Sequence, residues 1–520
     1  MPKFLPTSTA TFRKIINNDL LYIDKTEYIY HLVVRGTGAY FISRPRRFGK
    51  SLLLSTLEEL FQGNRVLFRG LWIDESDYGW APYPVIRIDF HSHPINSVAD
   101  LDRSIQFQLH PIAERYGITL QDNPAPFIFD ELIRKLSAQS PANNQVVILI
   151  DEYDKPIIDH LEDPDRAIEI RDALKSFYGV LKAKEAHIRI SFITGISKFS
   201  KVSIFSELNN LTDLTIDGRF AAMLGITQTE LEENFADRLP GFAAKEGLTV
   251  EELLDKIRHW YNGFRFTRVD TPVYNPFSTM LLFEMESFHN FWFESGTPSI
   301  LIKLIHERNY PVTDFDHSKV GELAFSTYDI RSLSLIPILF QTGYLTIKDF
   351  NPRRELYTLH YPNYEVQNAF LIYVLDAFSY LDQGLSKTHL LRLIDALEEH
   401  DLDTFFMVLD VFFAHIDYDL QLLNEKYYQT IFHVLFTLIG LVVDAEEKTN
   451  QGRIDAVIEV DDHIYIFEFK LDDSAEAALA QIKEKEYFKK YWLKEKPITL
   501  IGANFNSGKR TIDDWVSEMA

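Results

Sequence analysis

Residues 452–470 read GRIDAVIEVDDHIYIFEFK, and the placing of Asp455, Glu468 and Lys470 within them decides the fold of the C-terminal end. Side chains alternate across a strand, so Glu468 and Lys470 share one face while Phe467 and Phe469 point to the other. One face can do chemistry while the opposite face packs. A Mg²⁺ ion takes hard oxygen ligands and keeps several waters, so two carboxylates from neighbouring strands can hold it and leave room for a phosphate. Such an ion polarises a phosphoryl oxygen and lowers the pKa of a bound water. Lys470, two residues beyond the second carboxylate, could position that water and offset charge building on the phosphate. This is the residue set of a metal-dependent phosphodiester-cutting site, although Glu-x-Lys alone is common on solvated hairpins.

The flanks favour the chemical reading. An apolar, helix-like segment from Tyr427 to Gly440, opened by Glu425, precedes Asp455. SAEAALAQIKEKEYFKKYW (474–492) follows Lys470 and reads as one amphipathic helix, with Gln481 and Tyr487 six apart. ITLIGANF (498–505) suits a last strand. The order helix, three strands, helix, strand, with Asp and Glu-x-Lys on the second and third strands, resembles the PD-(D/E)XK nuclease superfamily over about the last hundred residues. That likeness implies Glu425 as an accessory acid near the metal, Asp455 and Glu468 as metal ligands, and Lys470 as the catalytic lysine. Gln481 and Tyr487 look like the helix residues that RecB-type nucleases use beside the site. Ile454 stands where the superfamily has Pro before the Asp.

At the other end, AYFISRPRRFGKSLLL (39–54) runs from an apolar strand through a turn into a helix carrying Gly49, Lys50 and Ser51. This is the back half of a phosphate-cradling loop, in which backbone N–H groups and a helix N-terminus hold phosphates, the lysine reaches the terminal ones and the hydroxyl binds Mg²⁺. The front half is irregular, with Arg44 at the place of the first Gly, then Pro45, Arg46 and Arg47. NNQVVILIDEYD (143–154) reads as a buried parallel strand ending in Asp151 and Glu152, at the edge where open α/β sheets bind ligands. Asp151 then holds Mg²⁺ indirectly and Glu152 polarises the attacking water. PVIRIDF (84–90) and IRISFITG (188–195) supply further strands, with Thr194 at the tip of the second.

Residues 10–220 resemble the AAA-like ATPase group that carries SRPRRFGKS (43–51) in place of a standard loop, and P-loop ATPases of that type put a γ-phosphate sensor where Thr194 stands. The blocks YIDKTEYI (22–29), LIDEYDKPI (149–157) and TGISKFSKVSIFSELNNLTDLT (194–215) carry the same likeness. Together the two ends resemble one bacterial family, in which an AAA-like ATPase domain precedes a PD-(D/E)XK domain; WYNGFRF, VYNPFS, FWFESGTPSILI, LFQTGYLTIKDF and YTLHYPNYEV look like its linking blocks. The nucleotide set it implies is Arg44, Arg47, Gly49, Lys50, Ser51, Asp151 and Thr194, with ATP as cofactor and Ser51 and Asp151 on Mg²⁺. Glu152, Asp455, Glu468, Lys470 and Gln481 are the catalytic set, with Mg²⁺ or Mn²⁺ at the nuclease site. Arg265 is a candidate for an arginine that senses nucleotide from a helical lid, against the plainer reading of an ion-paired group.

The fold class that follows is α/β: an N-terminal P-loop (AAA-like) ATPase sheet, a helical middle region and a C-terminal restriction-endonuclease-like domain. The expected division is 1–220 for the ATPase core, 221–310 for a helical lid, 311–410 for a mixed linking region with a strand pair around GYLTIKDF and LYTLHY, and 411–520 for the nuclease-like domain. The 520 residues, 46% apolar and 14% aromatic, suffice for several packed cores. No stretch reaches the ~18 apolar residues of a membrane span, and TIFHVLFTLIGLVV (430–443) is interrupted by His433. MPKFLPTSTATF lacks the basic and apolar regions of a secretory signal, and zero cysteines exclude a disulfide framework and a thiolate zinc site. The cytoplasm is the simplest compartment, with no membrane partner.

A net charge of −23 means that any nucleic-acid track is local. Lys483, Lys485, Lys489 and Lys490 are its candidates, but they alternate with Glu484 and Glu486 as a solvated helix face does. Weak, salt-sensitive binding follows. His91 and His93 lie two apart with no third ligand nearby, so zinc is not expected. The resulting expectation is an ATP-binding and ATP-hydrolysing protein coupled to a Mg²⁺-dependent nuclease, with DNA favoured over RNA and homo-oligomerisation left open. The rival is a nucleotide switch or scaffold whose nuclease-like domain binds without cutting.

Overall fold

The computed structural model describes residues 2–35, 38–197, 211–292, 301, 304–305, 315, 318–325, 330–331, 333–379, 385–414, 425–442, 456–506, 508–509 and 511–520. Two compact units divide the chain: residues 1–300 with 317–365, and residues 301–316 with 366–520.

In the first unit, five parallel strands form a sheet: β1 (Gly38–Ser43), β2 (Val85–Asp89), β3 (Val146–Asp151), β4 (Ile188–Gly195) and β5 (Leu211–Asp213). Their order is β2-β3-β4-β1-β5. β3 is buried along its whole length, as expected of a VVILI run in the middle of a sheet covered on both faces. The helix Lys50–Phe61 buries Leu53, Leu54, Leu57, Leu60 and Phe61 in a core shared with Ile42, Val147, Leu149, Ile190 and Phe192. That packing fixes the start of the helix over the carboxyl ends of β1, β4 and β3. Because β4 lies between β1 and β3, with Ile42 beside Thr194 and Ile150 beside Ile193, the loop after β1, the tip of β4 and the acids ending β3 adjoin one another.

Helices follow where the apolar spacing predicts them. Gln228–Asn234 and Val250–Tyr261 each open on a capping box, Thr227 with Glu230 and Thr249 with Glu252. Asn275 caps Pro276–Met285 by accepting from the N–H groups of Phe277 and Ser278. The strand pair after residue 340 is β7 (Thr346–Asn351) with β8 (Leu356–His360), and a short third strand, β6 (Lys319–Gly321), joins β8.

In the second unit the helix Glu425–Val442 precedes β9 (Ala456–Glu459), β10 (Ile464–Leu471), the helix Ala475–Lys485, β11 (Ile498–Asn506) and β12 (Thr511–Met519). The sheet order is β12-β11-β10-β9, with β10 and β11 parallel and the outer pairs antiparallel. Phe467 packs against Phe405 and edge-on against Phe436, and Phe469 lies against Phe432 and Phe436, so the aromatic face of β10 is the packed one. The single helix expected over 474–492 ends at Glu486, whose left-handed backbone (φ 50°) leads into a 3₁₀ segment, Tyr487–Lys494. A continuous helix would set Tyr491 half a turn away from Ile482; the break lets both bury in one core. ITLIGANF is not the last strand, since β12 adds an exposed edge whose pairing to β11 shifts register at Asn504/Phe505.

Candidate functional site

Two clusters of the expected residues form, one in each unit. In the first, Gly49 adopts the left-handed conformation (φ 89°) and turns the chain into the helix Lys50–Phe61, which starts without a side-chain cap. The first N–H groups of such a helix have no intrahelical acceptor and carry partial positive charge. Lys50 is buried, donates to the carbonyls of Arg44 (3.0 Å) and Pro45 (3.1 Å), and lies 3.5 Å from Glu152. Glu152 itself has a left-handed backbone, φ 51°. Thr194 donates to Asp151 Oδ1 at 2.6 Å. Asp151 is 1% exposed, and its Oδ2 is buried without a hydrogen-bond partner among the described residues. A buried carboxylate oxygen of that kind suits a divalent cation or its water shell.

A cavity of about 700 Å³ opens over this cluster and is lined by Arg46, Arg47, Gly49, Lys50, Ser51, Asp89 and Glu152, with the Thr7–Ala10 segment and Phe277 on other sides. Arg44 is absent from its lining. The Arg44 guanidinium is turned into the core, where it donates to the carbonyls of Ser43 and Thr215, both at 2.9 Å, and stacks over Phe266 at 4.5 Å. Burial pulls its pKa down to about 9 against the opposing charge of Asp213. Arg265 is also absent from the cavity lining: it donates to the carbonyls of Thr267, Arg268, Val269 and Lys348 and pairs with Asp270. It ties a loop together.

Three residues here escaped the sequence reading. Asp89 ends β2 beside Asp151 and lines the cavity, and burial together with the Asp151 charge raises its pKa. Its signal was an acid at the carboxyl end of PVIRIDF, the same cue that marked Asp151. Asp154 is fully buried and accepts from Ile196 N, Ser197 N and Ser197 Oγ, fixing the turn after β4; burial first and Glu152 second push its carboxyl up to about 6. Gly195 permits this, because a Cβ there would sit 2.5 Å from both the Asp154 carboxylate and the Tyr153 ring. His93 bonds Ser92 at 2.9 Å, and no group of metal-ligating side chains of three or more occurs among the described residues.

In the second unit Glu468 is 2% exposed on the face of β10 opposite the phenylalanines. Gln481, on the helix Ala475–Lys485, donates its amide N–H to Glu468 Oε1 and accepts from Lys470 Nζ at 2.6 Å through its carbonyl. Gly502 pairs in register with Glu468 on β11 and lets that helix approach: a Cβ there would be 2.2 Å from the Ala475 carbonyl and 2.5 Å from Leu479 N. Asp455 and the side chains of Glu425, Tyr487 and Lys490 lie outside the described residues. Of the other basic candidates, Lys483 pairs with Glu518 and Lys489 with Glu486, as a solvated face does.

A model of a predicted AAA-ATPase family matches residues 6–205, and a model of the PD-(D/E)XK nuclease superfamily matches residues 423–515. The chain is 39% identical over 531 aligned positions, covering 99% of each partner, to an uncharacterized protein in the vnfD 5' region of Azotobacter chroococcum mcd 1. The chain belongs to the AAA-ATPase-like family with a C-terminal PD-(D/E)XK nuclease domain. In this AAA-ATPase-like protein the first match covers the whole strand set from β1 to β4, and the second covers Glu468, Lys470 and Gln481. No described helix is long and apolar enough to cross a membrane.

Proposed function

We propose that the protein binds and hydrolyses ATP with its N-terminal unit and cuts nucleic acid phosphodiesters with its C-terminal unit, nucleotide state setting the cutting. The observation that carries the cutting half is the buried Glu468 carboxylate joined through Gln481 to Lys470. Glu468 offers hard oxygen to a divalent cation, and Asp455 is its proposed partner, since Ala456, the next residue in sequence, pairs with Phe467, the residue before Glu468. Bound Mg²⁺ or Mn²⁺ supplies polarisation of the phosphoryl oxygen and a more acidic water. Gln481 holds the ammonium of Lys470 in place and fixes the carboxylate rotamer. Lys470 then presents positive charge where the phosphate becomes more negative.

On the nucleotide side, the uncapped helix start at Lys50 and the Lys50 ammonium take the phosphates. Ser51 and Asp151 hold the cation that accompanies them, and Thr194 orients Asp151. Glu152 polarises water beside Lys50. The burial of the Arg44 side chain supports turnover over a binding-only switch, because it removes bulk from the place where backbone meets phosphate. The test is cleavage of single- and double-stranded DNA and RNA with Mg²⁺ or Mn²⁺, with ATP, ADP or neither. Cleavage abolished by Glu468→Gln supports the reading; absence of cleavage in every condition overturns its nuclease half.

A further inference from the structure

The phosphate loop carries three arginines that do different work. Arg44 is buried under the sheet edge, whereas Arg46 and Arg47 are exposed and line the cavity with Lys50 and Ser51. Neither has a carboxylate partner among the described residues, in a chain of net charge −23 whose Asp89, Glu152 and Asp159 line the same cavity. Arg47 also holds a left-handed backbone, φ 65°, a conformation uncommon for a side chain of its size. Its guanidinium stacks over the ring of Phe277 at 4.5 Å. The loop is fastened at that point from the same side: the Arg46 carbonyl accepts from Trp292 Nε1 at 3.1 Å and Asn275 Nδ2 at 3.4 Å, and Asn275 caps the helix on which Phe277 lies.

We propose that Arg47 reads the terminal phosphate of a nucleoside triphosphate from within the loop, with Phe277 as the resting place of its guanidinium. The inference rests on the nucleotide-binding reading of the cavity and adds a discrimination between triphosphate and diphosphate. A cation with no carboxylate partner beside the phosphate site gains most from the ligand with the most negative charge, and a planar guanidinium binds phosphate oxygens in pairs. The cost of leaving the ring sets the balance, since an exposed cation–π contact is weak. Transfer of Arg47 from ring to phosphate releases Phe277, so occupancy of the terminal phosphate position is felt at the helix Pro276–Met285 without an arginine from a second subunit.

The experiment is calorimetric titration of the full chain with a non-hydrolysable ATP analogue and with ADP, using wild type, Lys50→Ala, Arg47→Gly and Phe277→Leu. Glycine suits φ 65°, so Arg47→Gly removes the guanidinium without straining the loop. It is expected to weaken the triphosphate about tenfold or more, a charge-assisted hydrogen bond's worth, and to leave ADP within about threefold. Phe277→Leu is expected to tighten the triphosphate by about threefold, the size of the contact it deletes. A wild type that binds neither nucleotide, or Lys50→Ala binding like wild type, overturns the nucleotide reading itself. Wild-type binding that is lost in Lys50→Ala while Arg47→Gly keeps the wild-type ATP-to-ADP preference overturns this inference alone.

Discussion

Replacing Gly502 by alanine probes the nuclease-like site without touching any group that would meet substrate. The added methyl would stand 2.2 Å from the Ala475 carbonyl oxygen and 2.5 Å from Leu479 N, both backbone atoms that no rotamer change can move aside. An ordinary contact is about 3.4 Å or longer, so the helix Ala475–Lys485 and β11 must separate by about 1 Å. β11 is held between β10 and β12 along its length, which leaves the helix to yield. Overpacking of this kind costs about 1–3 kcal/mol, which lowers the melting temperature of a unit this size by about 5 °C. Gln481 rides on the displaced helix, so its 2.6 Å contact with Lys470 opens, and misplacement by about 1 Å costs about a hundredfold in rate. Melting curves and cleavage rates of Gly502→Ala check both numbers, with nucleotide binding expected unchanged. Wild-type cleavage together with a wild-type melting curve would show that Gly502 does not set the helix position.

Gln481→Ala deletes the bridge itself and is expected to lower cleavage about tenfold to a hundredfold with about 1 kcal/mol lost in stability, read from the same two assays. Asp154 gives a pH dependence whose sign follows from its raised carboxyl, about 6 in the folded chain against 3.8 unfolded. The native state keeps a proton that the unfolded chain has lost, so this stability is present below pH ~4 and disappears as pH rises through ~6, about 3 kcal/mol in all. Asp154→Asn, which keeps the shape, should therefore gain stability relative to wild type between those limits in denaturant titrations at several pH values. Arg265→Ala removes the guanidinium that joins the carbonyls of Thr267, Arg268, Val269 and Lys348 and is expected to cost about 1–3 kcal/mol in denaturant titrations, with ATP affinity unchanged below the melting range.

Much of this was legible in the sequence because it rests on local periodicity. NNQVVILID holds a continuous apolar run, VVILI, of the kind a covered parallel sheet buries, and it became β3, while IRISFITG, rich in β-branched and aromatic residues, became β4. The alternation in IYIFEFK put Glu468 and Lys470 on one face and the phenylalanines on the other. What escaped depends on long-range contact. The fate of the Arg44 side chain is set by Thr215 and Phe266, far along the chain, and the helix break at Glu486 by which aromatic residues fit the core with Ile482. β12 went unseen because TIDDWVSEM is an edge strand with one face in solvent and a register shift, so its alternation is weak. Gly195 and Gly502 look like any loop or strand glycine until the neighbour that a Cβ would strike is known.

The proposed function assigns Lys50 and Lys470 to two separate chemistries in one chain. Its most direct measurement is ATP hydrolysis and nucleic-acid cleavage, side by side, by wild type, Lys50→Ala and Lys470→Ala with Mg²⁺. Lys470→Ala is expected to lose cleavage by about a hundredfold or more while retaining ATP hydrolysis, and Lys50→Ala to lose hydrolysis together with the nucleotide dependence of cutting. Cleavage by Lys470→Ala at the wild-type rate, or hydrolysis by Lys50→Ala at the wild-type rate, would contradict it.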